Sequence, residues 1–118
     1  MDETILVADD EDFIADMVAI LLEDEGYRVL RAKNGAEALA LAETKRPDLV
    51  VSAVMMPLLS GLELARELRD RENGYGPPII LCSAVPPPGD LPERTVFLAK
   101  PFDIEQLTRL VAGLLAAR

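Results

Sequence analysis

Short runs of aliphatic and β-branched residues alternate with amphipathic segments along the chain. The short runs are typical of buried β-strands and lie at 4–8, 27–32, 49–54, 79–83 and 95–99. Segments with helical spacing of apolar residues lie at 11–25, 34–45, 60–72 and from 103 onward. This alternation predicts βαβ units, and therefore an α/β fold with a doubly wound, five-stranded parallel sheet and helices on both faces.

Capping residues mark where the predicted helices begin. Three pairs have the spacing of a capping box: Asn34 with Glu37, Ser60 with Glu63, and Asp103 with Gln106. The first helix is predicted to bury Phe13, Met17, Ile20 and Leu21, with Ile14, Val18 and Leu22 widening that face. The last helix is predicted to bury Ile104, Leu107, Leu110, Val111, Leu114 and Leu115.

The link between the fourth and fifth strands differs from the others because it is rich in helix-breaking residues: Pro86, Pro87, Pro88, Gly89 and Pro92. Proline removes a backbone donor and clashes with the preceding helical turn. The sequence therefore predicts that the helix expected at this point, the fourth, is short or missing.

Composition limits the function classes. A chain of 118 residues with a mean hydropathy of +0.18 is expected to form one domain, spanning 1–118. The net charge of −9 repels nucleic acid and anionic lipid, and the apolar runs are too short to cross a membrane. With no histidine and a single cysteine, Cys82, in an apolar run, we expect a cytoplasmic protein with a buried, reduced thiol.

Polar residues collect where the predicted strands end. Asp9 and Asp10 follow the first strand, Ser83 ends the fourth, and Lys100 follows the fifth. In a doubly wound sheet the ligand site lies beyond the carboxyl ends of the strands. Two carboxylates side by side are suited to Mg²⁺, and a lysine there can reach an anion held by the metal. A cis bond at Pro101 could aim that lysine inward.

Each of these residues also has a simpler interpretation. An aspartate at the start of a helix is often only an N-cap, and a serine at the end of a strand is often only a turn former. Most lysines are simply solvated. A ligand site is favoured because all of these residues lie at the carboxyl ends of the predicted strands.

Four segments together resemble the receiver domain of bacterial response regulators: "LVADDED", "PDLVVSAVMMPLLSG", "IILCSA" and "VFLAKPF". The resemblance covers nearly the whole chain. It implies a flavodoxin-like sheet with strand order 2-1-3-4-5. It also implies a module that receives a phosphoryl group on an aspartate, with bound Mg²⁺ neutralising the charge.

The resemblance assigns a role to each site residue. Asp9 and Asp10 match the acidic pair that holds the metal, with Asp10 the direct ligand, and Met55 would add its backbone carbonyl. Ser83 matches the hydroxyl residue that switches with the aromatic Phe97, and Lys100 matches the lysine that contacts the phosphoryl oxygen.

The acceptor position is the departure from the family pattern. Four residues before Pro57, where the family has its aspartate, this chain has Ala53, and a methyl group can neither accept a phosphoryl group nor bind a metal. Mg²⁺ binding is therefore expected to be weak. Either the aspartate was replaced deliberately to keep a normal receiver unphosphorylated, or the chain is a natural pseudo-receiver that binds partners without phosphorylation. Retention of the other site residues favours the first interpretation.

The expected function is signalling and not catalysis. The partners implied are a sensor histidine kinase or phosphotransfer protein and a downstream output protein or domain, with no direct contact to nucleic acid or membrane. An Mg²⁺-dependent phosphatase would need a nucleophile at Ala53, and a nucleotide-binding enzyme would need a glycine-rich loop after the first strand. A scaffold domain independent of phosphorylation remains the alternative.

Overall fold

The computed structural model describes residues 2–71, 76–86 and 89–117. The elements in chain order are β1 (Thr4–Ala8), α1 (Asp12–Asp24), β2 (Arg28–Ala32), α2 (Gly35–Lys45), β3 (Leu49–Ala53), α3 (Gly61–Arg71), β4 (Ile79–Ser83), β5 (Thr95–Ala99) and α4 (Ile104–Ala117). Most element boundaries lie within a residue or two of those the sequence predicts. Within the described ranges, no helix is long and apolar enough to span a membrane.

The five strands form one sheet in the order β2-β1-β3-β4-β5, and every neighbouring pair is parallel. The predicted doubly wound α/β fold and its 2-1-3-4-5 order are confirmed. The middle strand, β3, is buried along its whole length because helices cover both faces of the sheet.

Alternation along the strands divides the core into two layers. Ile5 and Val7 point into the layer that α1 and α4 cover, whereas Leu6 and Ala8 point into the layer that α2 and α3 cover. Each layer is therefore specified by every second residue of the same strand, and a slip of one residue would exchange the two faces.

Two of the three predicted capping boxes form completely, and the pair at α2 forms the capping bond with the glutamate reaching one residue further back. Asn34 Oδ1 accepts from Glu37 N at 2.8 Å, and the Glu37 carboxylate accepts from Lys33 N at 3.0 Å. The Ser60–Glu63 and Asp103–Gln106 pairs make reciprocal bonds of 2.8–3.1 Å. These bonds satisfy amide groups that the first turn of a helix leaves without partners.

The prediction of a short or missing fourth helix is confirmed, since the helix that follows α3 in the chain comes only after β5. Between β4 and β5, none of the described residues 84–86 and 89–94 is helical. Pro87 and Pro88 lie outside the described residues. Leu91 packs against the α2–α3 layer and covers part of the sheet at this point.

The predicted buried face of α1 is wrong in part. The side chains of Phe13 and Ile20 are 78% and 57% exposed, and Met17 is 40% exposed. The face that contacts the sheet consists of Ala15, Val18, Ala19 and Leu22. Small alanines let the helix lie close to the sheet, so the largest apolar residues do not mark the inward face. In α4, Ile104 is likewise exposed, because it occupies the first position of the helix.

A buried arginine near the end of α3 joins the entrances of β4 and β5. The Arg69 guanidinium donates to the carbonyl of Pro77 at 2.7 Å and to those of Glu93 and Arg94 at 2.5 and 3.1 Å. Burial lowers the pKa of Arg69 from its ordinary value, and neighbouring Arg94 adds to this effect. The side chain links these two segments in a region where the described part of the connection has no helix.

We predict that Arg69→Met destabilises the fold by about 2–4 kcal/mol, because buried carbonyls would lose their donors. Arg69→Lys should recover only part of that loss, since an ammonium group lacks the planar fork that reaches several acceptors. Urea unfolding measures both. Arg66→Met, at an exposed position of the same helix, is the control; an equal loss in both variants would contradict the role given to Arg69.

Candidate functional site

The candidate site lies at the edge of the sheet where the parallel strands end. Asp9 follows β1, Ala53 is the last residue of β3, Ser83 is the last of β4, and Lys100 follows β5. Because β1, β3, β4 and β5 are adjacent and parallel, the fold brings these four positions to one edge.

Asp9 is the buried carboxylate of the site, with a residue exposure of 6%. Its Oδ2 lies 3.6 Å from Lys100 Nζ, and its Oδ1 accepts from Glu11 N at 2.9 Å. One oxygen therefore holds the turn that precedes α1, while the other faces the site lysine. The N-cap of α1 is Glu11, so the interpretation of Asp9 as the helix cap is wrong. The ammonium partner offsets part of the cost of burying this carboxylate.

Asp10 and Met55 lie at the outer side of the same edge. Asp10 is exposed, and the Met55 side chain is 78% exposed, so the methionine would contribute only through its backbone carbonyl. In the described part of the chain there is no group of three or more His, Cys, Asp or Glu side chains that could hold a metal ion. Asp9, Asp10 and the Met55 carbonyl therefore stay the predicted oxygen donors for Mg²⁺, which would complete its coordination with water.

Ala53 occupies the centre of the site and is 6% exposed. It lies opposite Cys82 in the register of β3 and β4. Its side chain lines a cavity of about 10 Å³ together with Asp9, Cys82 and Lys100, a volume close to that of one water molecule. The methyl group offers no hydrogen-bonding or nucleophilic atom to this cavity.

The thiol of Cys82 does not supply the nucleophile that Ala53 lacks. Burial raises the pKa of Cys82 to about 12, with a smaller opposing effect of Lys100. The thiol therefore stays protonated at neutral pH, in keeping with the expectation of a buried, reduced cysteine.

Ser83 and Lys100 lie at the same edge of the sheet, and a backbone hydrogen bond joins them. Lys100 N donates to Ser83 O at 2.9 Å, and Val85 N donates to Ser83 Oγ at 3.2 Å. The second bond is the one that the turn-forming interpretation of Ser83 predicts. The Lys100–Pro101 peptide bond is cis, as predicted.

Phe97 lies in the middle of β5, opposite Leu81 of β4, and is half-buried. Its neighbours Val96 and Leu98 pack in the α1–α4 layer, so Phe97 points to the other face of the sheet. Leu91 of the link from Ser83 packs on the same face. The role of Phe97 as a switch residue stays a prediction.

Two glycines that the sequence interpretation did not single out shape the loop around Ala53. A Cβ on Gly61 would lie 2.1 Å from the carbonyl oxygen of Ala53, and one on Gly35 would lie 2.0 Å from that of Leu59. Gly61 N also donates to Val54 O at 2.8 Å. A glycine in the first turn of a helix, directly after a capping serine, was the available signal.

A family model described as "Response regulator receiver domain" matches residues 5–112. The fold, the site at the strand ends and this match agree, and the chain belongs to the response regulator receiver family.

Relatives and solved structures are consistent with this membership. The chain is 37% identical to the probable transcriptional regulatory protein TcrX of Mycobacterium tuberculosis, over 95% of its own length and 49% of the relative's. It thus spans about half the length of that relative. The structure of the chemotaxis response regulator CheY4 of Vibrio cholerae has a TM-score of 0.87 at 32% identity, covering 97% of this chain and 99% of that one.

A further structural neighbour bears on the metal. The receiver domain of sensor histidine kinase PA1611 from Pseudomonas aeruginosa has a TM-score of 0.87 at 30% identity, and the match covers 98% of this chain and 99% of that one. That structure is described with a magnesium ion coordinated in the active site cleft.

We predict that Gly61→Ala destabilises the protein by about 2–3 kcal/mol, because the new methyl group must displace the Ala53 carbonyl or the start of α3. Gly113→Ala is the matched control, since a Cβ there meets no atom within 4 Å. That variant should gain about 0.5–1 kcal/mol from helix propensity. Both are measured by urea unfolding, and a neutral Gly61→Ala would show that the close approach is not required.

Proposed function

We propose that this receiver domain passes a signal through protein contacts that depend on phosphorylation, and that Ala53 silences it at the acceptor position. The observation that supports this is the placement of Asp9, Ser83 and Lys100 around a residue that has no reactive atom. The whole protein would act as a signalling module and not as an enzyme.

Each residue has a proposed role in the complete site. Asp9, Asp10 and the carbonyl of Met55 would hold Mg²⁺, with Asp10 the direct ligand, and the metal would neutralise charge on the incoming phosphoryl group. Lys100 would turn from Asp9 toward a phosphoryl oxygen, and Ser83 would donate its hydroxyl to another. Phe97 would follow Ser83 and report the change on the surface.

The proposed upstream partner is a sensor histidine kinase or phosphotransfer protein, and the downstream partner is an output protein or domain. An apolar surface for the upstream partner is available beside the site. Phe13, Met17 and Ile20 of α1 are exposed there, and Ile104 of α4 borders the groove between these two helices. Direct binding of nucleic acid or membrane is disfavoured by the net charge of −9, and we propose a cytoplasmic location.

The origin of Ala53 has two interpretations. Retention of Asp9, Asp10, Ser83 and Lys100, which are of use together only around a phosphoryl group, favours deliberate replacement of an aspartate. The ion pair between Lys100 and Asp9 favours the second candidate, a natural pseudo-receiver, because it balances the buried charge without a phosphoryl group. The following experiment separates them.

We predict that Ala53→Asp restores phosphoryl transfer from acetyl phosphate in the presence of Mg²⁺. The introduced carboxylate oxygen would attack phosphorus, forming a new O–P bond as the P–O bond to acetate breaks and acetate leaves. Positioning and charge neutralisation supply most of the catalysis in such transfers, so a preorganised site needs only its nucleophile. Intact mass should show a phosphoryl adduct that the present chain lacks.

Ala53→Asn is the matched control, because an amide of the same shape is a poor phosphoryl acceptor. An adduct in both variants would place the modification elsewhere. No adduct in Ala53→Asp, in a protein that still folds cooperatively, would contradict the silenced-receiver proposal and support the pseudo-receiver.

We predict weak Mg²⁺ binding in the present chain, because one anionic ligand is missing and Asp9 is shared with Lys100. Ala53→Asp should bind the ion more tightly, and its melting temperature should rise on addition of Mg²⁺. Calorimetric titration measures both affinities. Micromolar affinity in the present chain would show that the acceptor carboxylate is not needed to hold the metal.

A further inference from the structure

One polar side chain, that of Ser52, lies in the otherwise apolar middle strand of the sheet. Ser52 is the fourth residue of β3 and is 0% exposed. In the register of the sheet it lies opposite Ala8 of β1 and Leu81 of β4, which are both apolar. Val50, two positions earlier in β3, contributes to the α2–α3 layer, so the Ser52 side chain points into the same layer. A hydroxyl buried among apolar residues costs free energy unless it is hydrogen-bonded, so its partner indicates its role.

The Ser52 hydroxyl donates to the backbone carbonyl of the residue that follows it. Its Oγ lies 2.8 Å from the Ala53 oxygen and 3.9 Å from Met56 Sδ. A hydroxyl has one hydrogen to donate, so the shorter contact is the hydrogen bond. On the other side of the same peptide unit, Val54 N donates to Cys82 O at 3.1 Å. The peptide unit between Ala53 and Val54 is therefore held at both ends.

The Ala53 carbonyl lies where the strand ladder no longer supplies a donor. Because the Val54 amide faces β4, the backbone groups of Ala53 face the other way, toward β1. The register of β1 with β3 ends where Ala8 lies opposite Ser52, one residue before Ala53. The first turn of α3 packs on this carbonyl, since a Cβ at Gly61 would lie 2.1 Å from its oxygen. The hydroxyl thus supplies a donor to a carbonyl beyond the end of β1.

The orientation of this peptide unit determines where a side chain at position 53 points. The Cα of Ala53 joins the last peptide unit of β3 to the unit that Ser52 and Cys82 hold, so both fix the direction of its Cβ. That Cβ borders the cavity that Asp9 and Lys100 also line. In a group transfer, a displacement of about 1 Å can lower the rate about a hundredfold. The direction of the Cβ is therefore as important for an acceptor at this position as its chemistry.

We propose that Ser52 is a positioning residue for the acceptor position. Its hydroxyl fixes the peptide unit that follows residue 53, and through it the direction of a carboxylate introduced there. Ser52 acts through the backbone, since its own side chain points into the α2–α3 layer. The inference rests on the proposed function, because it concerns phosphoryl transfer to position 53.

The rate of phosphoryl transfer to Ala53→Asp tests this role. The introduced carboxylate oxygen forms a bond to phosphorus as the bond to the acetate oxygen breaks, and acetate leaves. With acetyl phosphate and Mg²⁺ in excess, adding Ser52→Ala to this variant should slow formation of the adduct at least roughly tenfold, because the carboxylate loses its fixed direction. Intact mass followed over time gives both rates.

Thr95→Val, also made in Ala53→Asp, separates positioning from loss of stability. Thr95 carries another buried hydroxyl, at the opposite end of the sheet, and its Oγ1 donates to Glu93 O at 3.2 Å. Removing this hydroxyl should lower the melting temperature, as Ser52→Ala does, but leave the transfer rate unchanged. Equal slowing in the two variants would assign the effect to stability and overturn the proposal.

Ser52→Thr and Ser52→Val isolate the hydroxyl, because the two variants have the same shape and differ in this one group. In Ala53→Asp, Ser52→Thr should keep most of the transfer rate, whereas Ser52→Val should be as slow as Ser52→Ala. Equal rates in these two variants would contradict the proposal. No adduct in Ala53→Asp itself would refute the proposed function and this role with it, whereas an adduct that forms equally fast with and without the Ser52 hydroxyl would refute the role alone.

Discussion

All five strands run parallel, and this constraint determines where every feature of the site lies. Parallel strands cannot be joined by tight turns, so the chain must cross a face of the sheet between most of them, and helices cover both faces as a result. Their carboxyl ends then meet at one edge. Asp9, Ala53, Ser83 and Lys100 are distant in sequence and become neighbours only because of this arrangement.

Ala53, at the centre of that edge, carries no charge, and the charges of the site are balanced between its neighbours. Because Ala53 has no carboxylate, the ammonium group of Lys100 has the buried carboxylate of Asp9 as its partner. The two groups lie 3.6 Å apart. Any anion or metal that enters must compete with this pair. Under the proposed function, this ion pair would have to open before Lys100 could contact a phosphoryl oxygen.

Local signals predicted the elements well. The capping pairs, such as Asn34 with Glu37, set helix starts by bonds between neighbours in sequence. The prolines after β4 disfavour a helix for local steric reasons, and the described residues 84–86 and 89–94 contain none. The inward face of α1 was harder to predict, because Ala15 and Ala19 contact the sheet where larger residues were expected. Size alone does not show which apolar residues allow a close approach.

The features that sequence reasoning missed depend on contacts between distant segments. Arg69 looks like any charged residue of a surface helix, and only the fold brings the carbonyls of Pro77 and Arg94 within its reach. Gly61 and the Lys100–Asp9 pair are similar cases, since each depends on how β1, β3 and β5 lie relative to one another. The positions of the site were predictable from strand ends, whereas its charge balance was not.

We propose that the site remains organised for a phosphoryl group and lacks only the acceptor. Fluorine NMR of Ala53→Asp with beryllium fluoride and Mg²⁺ tests this directly, because trifluoroberyllate is a tetrahedral mimic of a phosphoryl group bound to a carboxylate. We expect resolved bound fluorine signals in Ala53→Asp that require Mg²⁺ and are absent from the present chain. Only the signals of free fluoroberyllates in a folded Ala53→Asp would contradict it.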